Sequence, residues 1–282
     1  MTGNRRVHAR WRRPLPALRE ALVVLTLFQL YRMARLLTAD ESQTARANAA
    51  DVLRLQSRWH LPDERAVQQW ALAVDGLAQV SNAYYLALHF PVVIGLLVWL
   101  FARHRDGAYR QVRDLLILTT FASLVIHLAV PLAPPRMLNG FVDTGIVHGM
   151  SAYGDLTAGS ANQIAAMPSL HVAWSAVVAL AVLRVMASRW RWLVLAHPVL
   201  TVLVVVVTAN HYWLDAAVAL ALVAGANAAL AVRRAAQPAR RASSSASARQ
   251  ARSHMPRCSD SSMPCQREAG SPTPVTRTVA PG

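Results

Sequence analysis

A chain of 282 residues with 54% hydrophobic and only 15% charged residues is too apolar for an ordinary soluble domain of this length. The formal net charge is +15, and every basic side chain behind it is arginine, since the sequence holds no lysine. These arginines crowd the ends and short loops and form no nucleic-acid module, so the charge marks a membrane topology and a basic tail, not a DNA-binding face.

Residues 1–16 form a basic leader with Arg5, Arg6, Arg10, Arg12 and Arg13. After it, apolar runs long enough to cross a hydrocarbon core of about 30 Å, roughly 17–25 helical residues, recur six times. The first, Ala17–Leu36, has a short apolar centre at Ala21–Leu30. It reads as an uncleaved span or as a signal peptide, with Ala45-Arg46-Ala47 as a poor cleavage site; we take the span. Either way, Asp40 and the loop after it are expected outside. Residues 38–81 scatter Val52, Leu55, Trp59, Val67 and Trp70 among charges, which predicts one or two amphipathic helices at the interface. The other five spans are predicted at Asn82–Phe101, Leu115–Pro131, Pro168–Val185, Trp192–Ala209 and Tyr212–Val232. Beyond Val232 the chain turns to Ala, Ser, Arg and Pro without periodicity, which predicts a disordered basic tail over 233–282. Its Cys258 and Cys265 lack partners at metal-ligand spacing and are expected to be reduced and unpaired. The expected fold is therefore all-α: a polytopic membrane protein with a six-helix transmembrane bundle over 17–232.

Loop charge sets the expected orientation. Residues 103–113 hold Arg103, Arg105, Arg110 and Arg113 against Asp106 alone, and residues 184–191 hold Arg184, Arg189 and Arg191 with no acid. Both loops are expected to be cytoplasmic. The acid-rich loop 38–81 and the loop 132–167, with Arg136 against Asp143 and Asp155, are expected outside. An even number of spans then puts both basic termini inside, and Arg136, His171 and His211 fall at the outer membrane face.

Two histidine motifs open apolar runs on that face: Met167-Pro168-Ser169-Leu170-His171 and Asn210-His211-Tyr212-Trp213-Leu214-Asp215. His211 and Asp215 are four apart and share one helix face, so the carboxylate can accept a hydrogen bond from one imidazole nitrogen and leave the other as a nucleophile. Asp215 is the sole acid within the last five spans, where an acid costs on the order of 2.5–3.5 kcal/mol and is usually functional. The same i,i+4 pair also reads as a simple helix cap. His171 follows Pro168 at a helix start, where free N–H groups suit a phosphate and the imidazole can protonate a leaving oxygen. Asn82, Tyr85 and His89, spaced three and four apart, form one polar stripe that reads equally as a headgroup pocket and as a polar seam between helices. His127, His148 and His197 are read as packed or solvated residues, and Met167, Trp174 and Trp213 as packing and interfacial anchors.

The runs Pro131-Leu132-Ala133-Pro134-Pro135-Arg136, Asn162 through His171, and Thr208-Ala209-Asn210-His211-Tyr212-Trp213-Leu214-Asp215 resemble the type 2 phosphatidic acid phosphatase superfamily. More closely, they are similar to its inositol phosphorylceramide synthase-like, or inositolphosphotransferase, branch. The likeness extends through Asn82-Ala83-Tyr84-Tyr85, His89-Phe90-Pro91 and Gly140-Phe141-Val142-Asp143-Thr144 and covers about residues 63–232.

The resemblance implies His211 as nucleophile, Asp215 as its orienting partner and His171 as general acid. It implies Arg136 as a bidentate phosphate ligand, with Ser169 and Asn210 beside it. It also implies a lipid phosphotransferase working through a phosphohistidine, with a lipid-phosphate or prenyl (di)phosphate phosphatase as the alternative. Two positions depart from the phosphatase pattern: Ala129 stands where that branch has a lysine, and Val205 where it has an arginine. With fewer cationic phosphate ligands, the synthase-like branch gains. No cofactor or metal is expected, because Arg136, helix N-termini and His171 meet the phosphate charge in place of clustered carboxylates. The partners implied are the bilayer and a lipid phosphate; the sequence sets no oligomeric state. A transporter would carry its polar residues near mid-membrane, whereas here they cluster at the outer ends. A non-catalytic scaffold would lack a member of the His–His–Asp set, and none is missing.

Overall fold

The computed structural model describes residues 42–103, 107–150 and 164–253, with side chains to 236, and four isolated positions, Leu18, Leu22, Thr26 and Gln29, all helical. The rest of the predicted span Ala17–Leu36 lies outside the described residues, as do Cys258 and Cys265. The described elements are α1 (Ser42–Arg58), α2 (Glu64–Leu72), α3 (Leu77–Ala83), a π-helical turn (Tyr84–Leu88), α4 (His89–Arg103) and α5 (Ala108–Ala129). They continue with a 3-10 turn (Pro135–Met137), α6 (Thr144–Val147), α7 (Leu170–Val185), a 3-10 stretch (Arg189–Leu195), α8 (Ala196–Val207) and α9 (Trp213–Ser253). Among the described residues the fold is all-α, with one isolated parallel bridge between Leu132 and Ala165.

Among the described residues, four helical stretches are long and apolar enough to cross a membrane: Leu77–Arg103, Ala108–Ala129, Arg189–Val207 and Trp213–Ala236. They coincide with four predicted spans, extended at their ends into polar turns such as Arg110-Gln111-Val112-Arg113 that suit a headgroup layer. The predicted span Pro168–Val185 is a helix of 16 residues, only about 24 Å at 1.5 Å per residue. Yet α7 is the helix around which the others pack. Its Val172, Ala173, Ala176, Val177, Val178 and Ala181 are buried against Leu96 and Leu100 of α4, Val112 and Leu115 of α5, Val205 of α8, and Ala216, Ala219 and Val223 of α9. Small residues at this centre let backbones approach, as lipid-embedded bundles require. Outward-facing Phe90, Ile94, Val98, Phe121, Val125, Val199 and Leu203 remain exposed on the surface, an apolar girdle that suits lipid.

Where one or two amphipathic helices are predicted between 38 and 81, the structure has α1 and α2, and one face of α1 packs on protein. Ala45 and Ala49 are fully buried against Leu132, Ala133, Ile164, Ala166 and Tyr212. Asn48 Nδ2 donates to the Pro131 carbonyl at 2.8 Å, and Ala133 N donates to the Ala45 carbonyl at 3.1 Å. Amphipathicity reveals a buried face without saying what buries it. Trp59, Trp70 and Leu72 stay exposed, as interfacial anchors would.

The sequence predicts no regular structure after Val232, whereas α9 runs on to Ser253. Alanine and arginine are strong helix formers, and extending an existing helix avoids the nucleation cost. Residues from Arg234 onward form a unit separate from residues 1–233.

Candidate active site

Between α8 and α9 the chain has five residues, Thr208–Tyr212, in which to connect two membrane helices. The Val205 carbonyl accepts the amides of both Asn210 (2.9 Å) and His211 (3.1 Å), which closes a tight turn. Ala209 adopts φ +51°, a left-handed conformation uncommon for a residue with a Cβ and typical of strained functional turns. Its carbonyl takes the Arg136 amide at 2.8 Å, so the first and third motifs are joined through backbone. Tyr212, fully buried, adds a second link: its hydroxyl donates to the Ala133 carbonyl at 2.8 Å.

This turn presents His211 just ahead of α9. His211 Nδ1 lies 2.8 Å from the Ala166 carbonyl and 3.3 Å from Asp215 Oδ2. A carbonyl can only accept, so Nδ1 carries a proton, and in the neutral ring Nε2 keeps its lone pair. Asp215, completely buried, also accepts the Tyr212 amide at 2.9 Å through the same Oδ2. Tyr212 is the N-cap position of α9 and Asp215 its third residue, so the carboxylate makes the reciprocal bond of a capping box. The cap and the orienting partner, alternatives in the sequence, are one side chain here.

His171 stands in the first turn of α7, its ring centroid 6.2 Å from that of His211, close enough for one phosphoryl group to touch both. Tyr85 stacks on it at 4.1 Å and His89 tilts against it at 4.6 Å, both delivered by the π-helical turn and the start of α4. Two of the three stripe residues thus wall His171. The third, Asn82, has its amide committed within the protein, donating to the Ala78 carbonyl at 2.9 Å and accepting from Thr144 Oγ1 at 3.4 Å. Ser169, also expected near phosphate, is buried and serves as the α7 N-cap, accepting the Val172 amide at 3.4 Å. Its own amide donates to the Asp215 carbonyl at 3.3 Å, which ties the second motif to the third.

Arg136 is mostly buried. Its Nε pairs with Asp143 Oδ2 at 3.2 Å, and a guanidinium nitrogen donates to Asn210 Oδ1 at 3.2 Å, so the cation sits against the residue preceding His211. Asn210 is oriented in turn by donating to Thr208 Oγ1 at 2.8 Å. Three residues that the sequence reading gave no site role contribute here. Asp143 aims Arg136, Tyr212 staples two motifs, and His127 places Nε2 3.1 Å from the Pro168 carbonyl, beside the residue that caps α7. None has a spacing signal, because each partner lies 7 to 79 positions away. Trp174 and Met167 pack as expected, while Trp213 also donates through Nε1 to the Pro62 carbonyl at 2.9 Å. Among the described residues no group of three His, Cys, Asp or Glu is placed to hold a metal ion.

The model of the PAP2 superfamily matches residues 50–229, more than half of the chain, and that range holds all three motifs. The chain belongs to the PAP2 superfamily. No curated protein and no solved structure matches it. As a PAP2 protein with four membrane-length helices, the chain is an integral membrane enzyme of the phosphatase or phosphotransferase type. The PAP2 match runs from the second half of α1 through most of the membrane part of α9, so α2 and the end of α1 lie within the matched range.

Proposed function

We propose that this enzyme is a lipid phosphotransferase of the inositolphosphotransferase kind, acting at the outer membrane face through a phosphohistidine on His211. The observation that carries the reading is the fixed tautomer of His211, with a proton held on Nδ1 by the Ala166 carbonyl and Asp215, and a lone pair left on Nε2 within reach of His171. In the first half-reaction Nε2 attacks phosphorus, and the bond to the leaving lipid alcohol breaks as that oxygen takes a proton from His171. In the second half, neutral His171 takes the proton of an acceptor hydroxyl. The alkoxide attacks phosphorus and the N–P bond breaks, which restores His211. Arg136 is held in place to meet the phosphate charge. Support for transfer over hydrolysis comes from Val205, which is fully buried and offers its carbonyl to the active-site turn in place of a second cation.

The test incubates purified enzyme with labelled phospholipids, with and without inositol or lipid alcohols. A new phosphodiester is expected, and free phosphate would make the enzyme a phosphatase. Acid-labile, base-stable label should stay on wild-type protein and be absent from His211→Ala. Turnover that survives His211→Ala, or that stops with a chelator and returns with a divalent cation, would overturn the mechanism. For orientation, a reporter after Ala187 should behave as cytoplasmic and one near Gly149 as external; the reverse would move the site to the inner face.

A further inference from the structure

The start of α9 presents three consecutive amides, those of Tyr212, Trp213 and Leu214, and only the first is met within the motif, by Asp215. The N-cap side chain, Tyr212, spends its hydroxyl on Ala133. The other two amides are met by side chains from the loop before the first described membrane helix. Trp213 N donates to Glu64 Oε1 at 3.3 Å, across 149 positions, and Leu214 N donates to Gln56 Oε1 at 2.8 Å, across 158. Gln56 Nε2 donates to the same Glu64 oxygen at 2.6 Å, so the two acceptors form one unit. Both side chains are 2% exposed. A carboxylate at a helix N-terminus also suits the positive end of the helix dipole.

We propose that Gln56 and Glu64 are positioning residues for the His211–Asp215 pair, an imported cap that sets where α9 begins. The inference rests on the reading of His211 as nucleophile. The capped amides lie directly between His211 and Asp215, so a shift of Trp213 and Leu214 changes the distance from the carboxylate to His211 Nδ1. The same shift moves the Asp215 carbonyl, which holds the Ser169 amide and through it the start of the helix carrying His171. Both histidines therefore take their register from a loop about 150 residues upstream. Gln56 lies in the last turn of α1 and Glu64 opens α2, and both ends are fixed, by Ala45 and Ala49 of α1 packed on Leu132 and Tyr212 and by the Pro62 carbonyl bonded to the Trp213 indole.

The test is a mutant cycle on the full-length enzyme in detergent or nanodiscs, assayed with its labelled phospholipid. Glu64→Ala should lower kcat by about 10- to 100-fold, the scale of a small misplacement of reacting groups, with KM nearly unchanged. Glu64→Gln, which keeps the acceptor oxygen, should stay within about threefold of wild type. In an Asp215→Asn background, Glu64→Ala should cost less than it does in wild type, because the carboxylate it positions is gone and only the route through the Asp215 carbonyl remains. Gln56→Ala, run in the same cycle, leaves the Glu64–Trp213 bond intact and is held to the same criteria if Glu64→Ala does not fold. An additive loss in the Asp215→Asn background, a loss expressed in KM, or a Gln variant no better than Ala would each overturn the proposal. Wild-type turnover that dies with His211→Ala but survives Glu64→Ala and Gln56→Ala would sink this inference alone. Survival of turnover in His211→Ala would instead sink the phosphohistidine reading, and this proposal with it.

Discussion

Asp215→Asn separates what the carboxylate charge does from what its shape does. An asparagine oxygen can still accept the Tyr212 amide and the His211 Nδ1 proton, now met at 2.9 and 3.3 Å, so cap and geometry survive. The tautomer survives too, because the nearer acceptor of Nδ1–H is the Ala166 carbonyl at 2.8 Å, which no side-chain substitution removes. What is lost is attraction between the carboxylate and the positive charge that grows on the imidazole as Nε2 bonds phosphorus. A full charge about 5 Å from the carboxylate, at an effective dielectric of about 20, is worth roughly 3 kcal/mol, and a half-developed one roughly 1.7 kcal/mol. The expected cost is therefore a kcat about 10- to 100-fold lower with KM unchanged, since ground-state binding does not feel the charge. Steady-state kinetics on membrane-inserted protein, with label trapping to follow the first half-reaction, read this directly. A loss near 10⁴-fold, the scale seen when a histidine loses its tautomer, would show that the Ala166 carbonyl does not hold the proton. A loss under about threefold would reduce Asp215 to a helix cap.

His171→Ala should be far more damaging for substrates with poor leaving groups than for aryl phosphates, which need no proton delivered; a uniform loss across a leaving-group series would deny His171 its acid role. Tyr212→Phe strands the buried Ala133 carbonyl, at a cost of roughly 1–2 kcal/mol, and should lower the thermal midpoint by a few degrees; an unchanged midpoint would show that the bond joining the first and third motifs carries no weight. Burial pushes the Glu64 carboxyl above its ordinary 4.5, outweighing the bonds from Trp213 and Gln56 that pull it down. A raised folded value means that its share of stability is fully present below about 4.5 and is lost as pH rises through that raised value. Thermal scans from about pH 4.5 upward should therefore show wild type losing stability relative to Glu64→Gln, and parallel curves would refute the assignment.

The membrane helices were legible because crossing lipid demands a continuous apolar run of fixed length, and length and hydropathy are local properties. The contact of His211 with Asp215 was legible for the same reason, since i,i+4 on a helix is a local distance. The sequence left more open where a local pattern has two outcomes. The amphipathic stretch before the first described membrane helix marks a face to bury, and only the fold decides that part of it covers Leu132 and Tyr212 instead of lipid. The alanine- and arginine-rich stretch after Val232 lacks a core, yet it inherits helix from the span before it.

By itself the sequence determined the helical class and the membrane setting, and it put forward the two histidines and the acid as candidates, because each follows from residue type at short spacing. The tertiary structure decided what those residues can do. The proton on His211 Nδ1 is held by a carbonyl 45 positions away, Arg136 is aimed by Asn210 at a separation of 74, and the amides between His211 and Asp215 are capped from Gln56 and Glu64. Backbone carbonyls and amides carry no sequence signature. Their partners are chosen by the path of the chain, and so the geometry of this site rests on contacts that no spacing rule reads.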